Sequence, residues 1–74
     1  MNKVWEGELS CSCGDNHQIY CLEENRPQET YWIIFDCPKR GNLKLSSKLI
    51  ANTVAWKELG SPTQDALLCK IEYQ

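Results

Sequence analysis

Seven consecutive residues, Thr30-Tyr-Trp-Ile-Ile-Phe-Asp36, constrain this chain more than any others. The run is β-branched and aromatic, and it is apolar at odd and even positions alike. A strand with one wet face alternates; a run that does not alternate predicts a central strand covered on both sides. In a chain of 74 residues, covering such a strand occupies most of the molecule, so residues 1–74 are expected to form a single domain. There is no room for a Rossmann unit, a barrel or a P-loop domain. The composition, 42% hydrophobic and 24% charged, is that of a folded chain and not of a disordered one.

Shorter patterns flank the run. In residues 3–11, Trp5, Leu9 and Cys11 alternate onto one face and Glu6, Glu8 and Ser10 onto the other, the period of a half-buried strand, with Gly7 as a bulge signal. Cys11-Ser-Cys13-Gly14-Asp15-Asn16 reads as a turn. Residues 17–23 form a second strand, with Ile19 and Cys21 on one face and Tyr20 and Leu22 on the other. A polar loop broken by Pro27 follows over 24–29, and residues 42–45 make a short fourth strand. Ser46 or Ser47 can cap a helix that ends at Leu59, with Gly60 at the C-terminal cap and Pro62 just beyond. Its apolar residues Leu49, Ile50, Val54 and Leu59 would pack on Ile33, Phe35 and Ile19. Ser61-Pro62-Thr63-Gln64 has the form of a capping box and favours a short helix over 62–71, yet Leu67, Cys69, Ile71 and Tyr73 also alternate as in a strand. The expected fold class is α+β: a three-stranded antiparallel sheet packed by one helix, with a short C-terminal helix or strand over 62–73.

Five cysteines in so short a chain point to metal or redox chemistry. Three of them fall on two turns, Cys11-Ser12-Cys13-Gly14 and Cys37-Pro38-Lys39-Arg40-Gly41, and each turn carries a Gly shortly after a Cys. Turns that meet at one end of a sheet can present their donors to a tetrahedral ion. Residues 9–41 resemble the zinc ribbon family, in which two Cys-containing knuckles sit on a three-stranded antiparallel sheet. The first knuckle is one residue shorter here, and Arg40 stands where the second knuckle has its second Cys. The resemblance implies a ribbon-like sheet end with Cys11, Cys13 and Cys37 as zinc ligands. Arg40, always protonated, cannot ligate, so the fourth donor would be His17 or Cys21. Without metal, Cys21 and Cys69 are small buried hydrophobes, and a disulfide among these positions would require an oxidising setting. Residues 1–8 carry acids and no apolar run, so neither a signal peptide nor a membrane span is expected, and the setting is a reducing cytoplasm.

The net charge of −2 is unevenly spread: residues 1–36 carry −5 and residues 37–74 carry +3. A chain this small has little volume for a water-excluding reaction pocket, so no enzyme is expected and no catalytic residue is assigned. The first functional expectation is a protein-binding module, an inhibitor or adaptor that occludes a basic site on a partner protein. Glu6, Glu8, Glu23 and Glu24 would supply its acidic surface and Trp5 its exposed aromatic anchor. In size and charge it is similar to phage-encoded antagonists of host defence, anti-CRISPR proteins among them. The alternative is a zinc-ribbon-like nucleic-acid module using Lys39, Arg40, Lys44 and Lys48, with Tyr31, Trp32 and Phe35 as stacking platforms. An edge strand could also pair with a second copy.

Overall fold

The computed structural model describes residues 3–22, 24–48 and 54–73. The apolar run becomes β3 (Tyr31–Cys37), and around it lie β1 (Val4–Ser10), β2 (Asn16–Cys21), β4 (Gly41–Ser46), β5 (Lys57–Leu59) and β6 (Leu67–Tyr73). The strands form one six-stranded sheet in the order β4-β3-β6-β2-β1-β5. Every neighbouring pair is antiparallel except β2 and β6, which run parallel with Ile19 opposite Leu67.

The expected α+β fold is therefore corrected to an all-β one, since there is no helix among the described residues. The sheet has six strands and mixed direction, where three antiparallel strands were expected. The helix over 46–59 gives way to a turn at 47–48, an irregular stretch at 54–56 and β5; residues 49–53, with Leu49 and Ile50, lie outside the described residues. Its physical failure is visible at Val54, Ala55 and Trp56, which are buried, exposed and buried in turn. That period of two matches an extended chain laid over the core, not a helical stripe. Trp56 is fixed there by its indole Nε1, which donates to the Tyr31 hydroxyl at 2.9 Å. Gly60 and Pro62, read as helix stops, instead follow a strand.

The short helix over 62–71 is also replaced. Ala66 N–H donates to Thr63 O at 3.0 Å, which makes one turn, and the chain then extends into β6. The N–H of Thr63 is taken by Glu6 Oε1, from the distant strand β1, at 2.7 Å. The alternation of Leu67, Cys69, Ile71 and Tyr73 thus decides the element.

One face of the sheet holds the core. Leu9, Ile19 and Ile33 are fully enclosed, and Cys21, Tyr31, Phe35, Cys37, Val54, Trp56 and Cys69 pack with them. β3 is central, as its sequence requires, but it is enclosed on one side only: Trp32 and Ile34 are half-buried on the outer face. Gly7 makes no bulge, since it keeps regular register with Ile19. It is needed for close approach instead: a Cβ there would lie 2.3 Å from Val54 Cγ1 and 3.1 Å from Ala55 O. The molecule measures 33 × 28 × 17 Å, and its short axis fits one sheet and a single covering layer. Among the described residues, no helix is long and apolar enough to cross a membrane.

Candidate metal centre

Two hairpins build the centre. β1 and β2 pair from Trp5 opposite Cys21 to Ser10 opposite Asn16, which places Cys11 and Cys13 in the connecting turn. His17, opposite Leu9, is thus in the second pair from the turn, which is closed by Cys11 N–H to Asp15 O at 2.9 Å and by Gly14 N–H to Cys11 O at 3.1 Å. β3 and β4 close on Cys37 opposite Gly41, so Cys37 starts the second turn. Gly14 and Gly41 both have positive φ, 101° and 77°, the left-handed conformations that such tight reversals demand of glycine.

The two turns meet because β6 begins late. Its first residue, Leu67, pairs with Ile19 of β2, while Phe35 of β3 pairs with Cys69. Beyond Leu67 no strand among the described residues separates the turn-proximal ends of β2 and β3. His17, whose ring packs edge-on against Phe35 with centroids 6.1 Å apart, reaches across to Cys37.

Four donors converge there. Cys11, Cys13, His17 and Cys37 bring three sulfurs and one imidazole nitrogen within 4.8 Å of one another. Cys11 Sγ lies 3.7 Å from Cys37 Sγ. His17 Nε2 lies 3.4 Å from Cys13 Sγ and 3.5 Å from Cys37 Sγ. A regular tetrahedron with Zn–S of ~2.3 Å and Zn–N of ~2.0 Å has S···S edges of ~3.8 Å and S···N edges of ~3.5 Å. These three separations fit those edges, so the donor set is compatible with a zinc-ribbon-like segment. Cys21, the other candidate for the fourth donor, is not among the four. It sits at the far end of β2, ~13 Å along the strand from His17, buried in the core.

The electrostatics favour thiolate at Cys37. Burial pushes the Cys37 thiol up, but hydrogen bonds from the backbone N–H groups of Lys39 and Arg40, with the His17 and Cys13 side chains, overcome it and bring the thiol down to about 6. Cys11 lies the other way, since burial raises its thiol, and its S–H donates to Cys37 Sγ.

The two turns are also tied outside the donors. Lys39 pairs with Asp15, which holds the Asp15 carboxyl below the usual carboxylate range and raises the lysine in turn. Arg40 Nη1 donates to Ser12 O at 3.3 Å. At the position where a ribbon has its second Cys, this chain therefore has a cation that grips the opposite turn. Nothing in the local sequence signals this role, because Ser12 and Arg40 lie 28 residues apart.

The remaining expected site residues are dispersed. Trp5 is half-buried on the core face, packed against the interior, and its buried indole Nε1 has no hydrogen-bond partner among the described residues. Glu6 lies on the opposite face and is 7% exposed, with its carboxylate bound to the backbone and hydroxyl of Thr63. The expected solvated face of Glu6 is thus corrected to a buried strap. Glu8 and Glu24 are exposed, and Glu23 lies outside the described residues. Of the basic cluster, Lys39 and Arg40 are engaged as above. Lys44 pairs with Glu72 at 3.3 Å and sits 5.1 Å from the Trp32 ring centroid, and Lys48 is exposed. Tyr31 and Phe35 are core residues; only Trp32 of that trio reaches the outer face. No known protein family matches the chain, nor does any curated protein or solved structure.

Proposed function

We propose that this chain is a non-catalytic module built around a structural zinc ion, working as an inhibitor or adaptor by covering a site on a partner protein. The observation that carries the reading is the convergence of Cys11, Cys13, His17 and Cys37 at tetrahedral separations. Four protein donors leave no open position for substrate or water, which is the arrangement of structural zinc sites and not of catalytic ones. Zinc held there clamps the β1–β2 turn to the β3–β4 turn and closes the end of the sheet that β6 does not reach.

Binding to protein is favoured over binding to nucleic acid by what the basic residues do. Lys39, Arg40 and Lys44 already answer Asp15, Ser12 and Glu72. The outer face carries Trp32 and Ile34 half-buried, with Leu22 and Leu68 60% and 55% exposed, apolar surface suited to a protein contact. The test is metal analysis of protein purified without chelator, followed by interaction assays with the loaded form. About one zinc per chain is expected, lost in a Cys13→Ser, His17→Ala double variant. A chain that takes up no zinc on reconstitution refutes the reading. Salt-sensitive binding to single-stranded DNA that disappears in Lys44→Glu supports the nucleic-acid alternative in its place.

A further inference from the structure

We propose that the same centre is an oxidation site, in which a hydroperoxide converts Cys13 and Cys37 from zinc ligands into a disulfide that expels the metal and keeps the two turns joined. The metal half of this inference rests on the zinc reading above; the thiol half does not. The five cysteines are present as thiols, and they fall into two unequal groups. Cys21 and Cys69 are buried in the core, at 1% and 4% exposure. Cys13 is the half-buried cysteine of the cluster, whereas Cys11 and Cys37 are buried, so a small oxidant meets Cys13 first.

The step balances as follows. The Cys13 thiolate attacks one peroxide oxygen; the S–O bond forms, the O–O bond breaks, and hydroxide leaves. Sulfur has lost two electrons and is now a sulfenic acid. The Cys37 thiolate, within 4.8 Å, attacks the Cys13 sulfur; the S–S bond forms and the S–O bond breaks, with the oxygen leaving as water after it takes a proton. Two thiolates, one hydrogen peroxide and two protons become one disulfide and two waters. Only Cys11 and His17 then remain as donors, too few to hold zinc.

Cys37 is the fixed member of the bond. Should Cys11 exchange into the new disulfide, its own sulfur, 3.7 Å from Cys37 Sγ, still links to Cys37. The contacts of Lys39 with Asp15 and of Arg40 with Ser12 involve no sulfur, so they hold the turns in reach while metal leaves and the bond forms. The fold end is thereby clamped in both states, by zinc when reduced and by a covalent bond when oxidised.

The experiment uses the full chain, with zinc content measured before oxidant is added. Hydrogen peroxide is titrated in, released zinc is read with a chromogenic chelator, and disulfides are mapped by tandem mass spectrometry. Expected are loss of the bound zinc, a mass about 2 Da below the reduced chain, and a bond between Cys37 and the turn bearing Cys11 and Cys13. Dithiothreitol with added zinc reverses both changes. A Cys21→Ala, Cys69→Ala variant, with its centre intact, behaves alike. Sulfinic acid at Cys13 without a cross-link, a bond confined to Cys11 and Cys13, or an unchanged mass overturns the inference. A chain with no zinc at the outset overturns the metal reading instead, and the mass arm still decides whether Cys37 cross-links.

Discussion

Removing zinc is the perturbation that tests the centre most directly. The proposed clamp would join the two hairpins at the end of the sheet that β6 does not reach, so neighbouring strand pairing would not make good its loss. A domain of this size has a total stability of roughly 4–11 kcal/mol. A ligand that binds only the folded state contributes about 4 kcal/mol when its free concentration is a thousand times its dissociation constant. For a domain of 60–100 residues, each kcal/mol moves the midpoint by about 4–8 °C. Chelation of the loaded protein should therefore lower Tm by roughly 16–32 °C, the product of those two figures. The assay is thermal unfolding by circular dichroism at equal protein concentration, with excess zinc and with chelator, under reducing conditions so that no disulfide substitutes for the metal. Midpoints that coincide in the two samples would refute the argument, because a metal that adds nothing to stability is not clamping these turns.

Further substitutions probe the parts of the fold that hold the centre in place. Gly7→Ala forces a Cβ against Val54 Cγ1 and Ala55 O and should destabilise the protein by about 1–3 kcal/mol, the range of over-packed cores, measured as a lower urea midpoint with unchanged slope. Tyr31→Phe strands the buried Trp56 Nε1 and should remove about 1–3 kcal/mol, again measured as a lower urea midpoint. Thr63→Val deletes the hydroxyl that meets the Glu6 carboxylate but leaves the backbone bond. A loss of about 1.5–3 kcal/mol is expected, as for hydrogen bonds to charged groups, and a Glu6→Gln, Thr63→Val pair should fall short of additivity in a double-mutant cycle.

What the sequence made legible was local. The β1–β2 hairpin followed from alternation broken by the turn at Cys13-Gly14, the end of β3 from an unbroken apolar run stopped by Pro38 and Gly41, and with them the positions of Cys11, Cys13 and Cys37. The choice between His17 and Cys21 was within reach as well. Both lie on one face of β2, but their separation along an extended chain is too large for one ion, and only His17 is near the turn. The place of β6 was not legible, because its parallel pairing with β2 joins Ile19 to Leu67, and no short-range pattern encodes such a partner. Nor was the missing helix: Gly60 and Pro62 end any element, and only the alternating burial of Val54, Ala55 and Trp56 distinguishes an extended cover from a helical one. Glu6 looked solvated for the same reason, since its partner Thr63 lies 57 residues away.

That division between local and distant pairing bears on how the sheet assembles. The two hairpins close over short loops, and both halves of the metal centre lie on them: Cys11, Cys13 and His17 on the first, Cys37 on the second. β6, which must insert between β3 and β2, cannot do so until most of the chain is in place, and such non-local pairings are slow because loop closure precedes the contacts that offset it. On the zinc reading proposed above, the ion bridges the hairpins before β6 arrives and fixes the two strands that β6 must join at the end where Leu67 enters. Refolding from urea should therefore be faster with zinc than with chelator, in the folding limb and not only through slower unfolding. Stopped-flow Trp fluorescence separates the two limbs. Equal folding rates, with the whole effect in the unfolding limb, would place zinc binding after β6 docks and reverse this order of assembly.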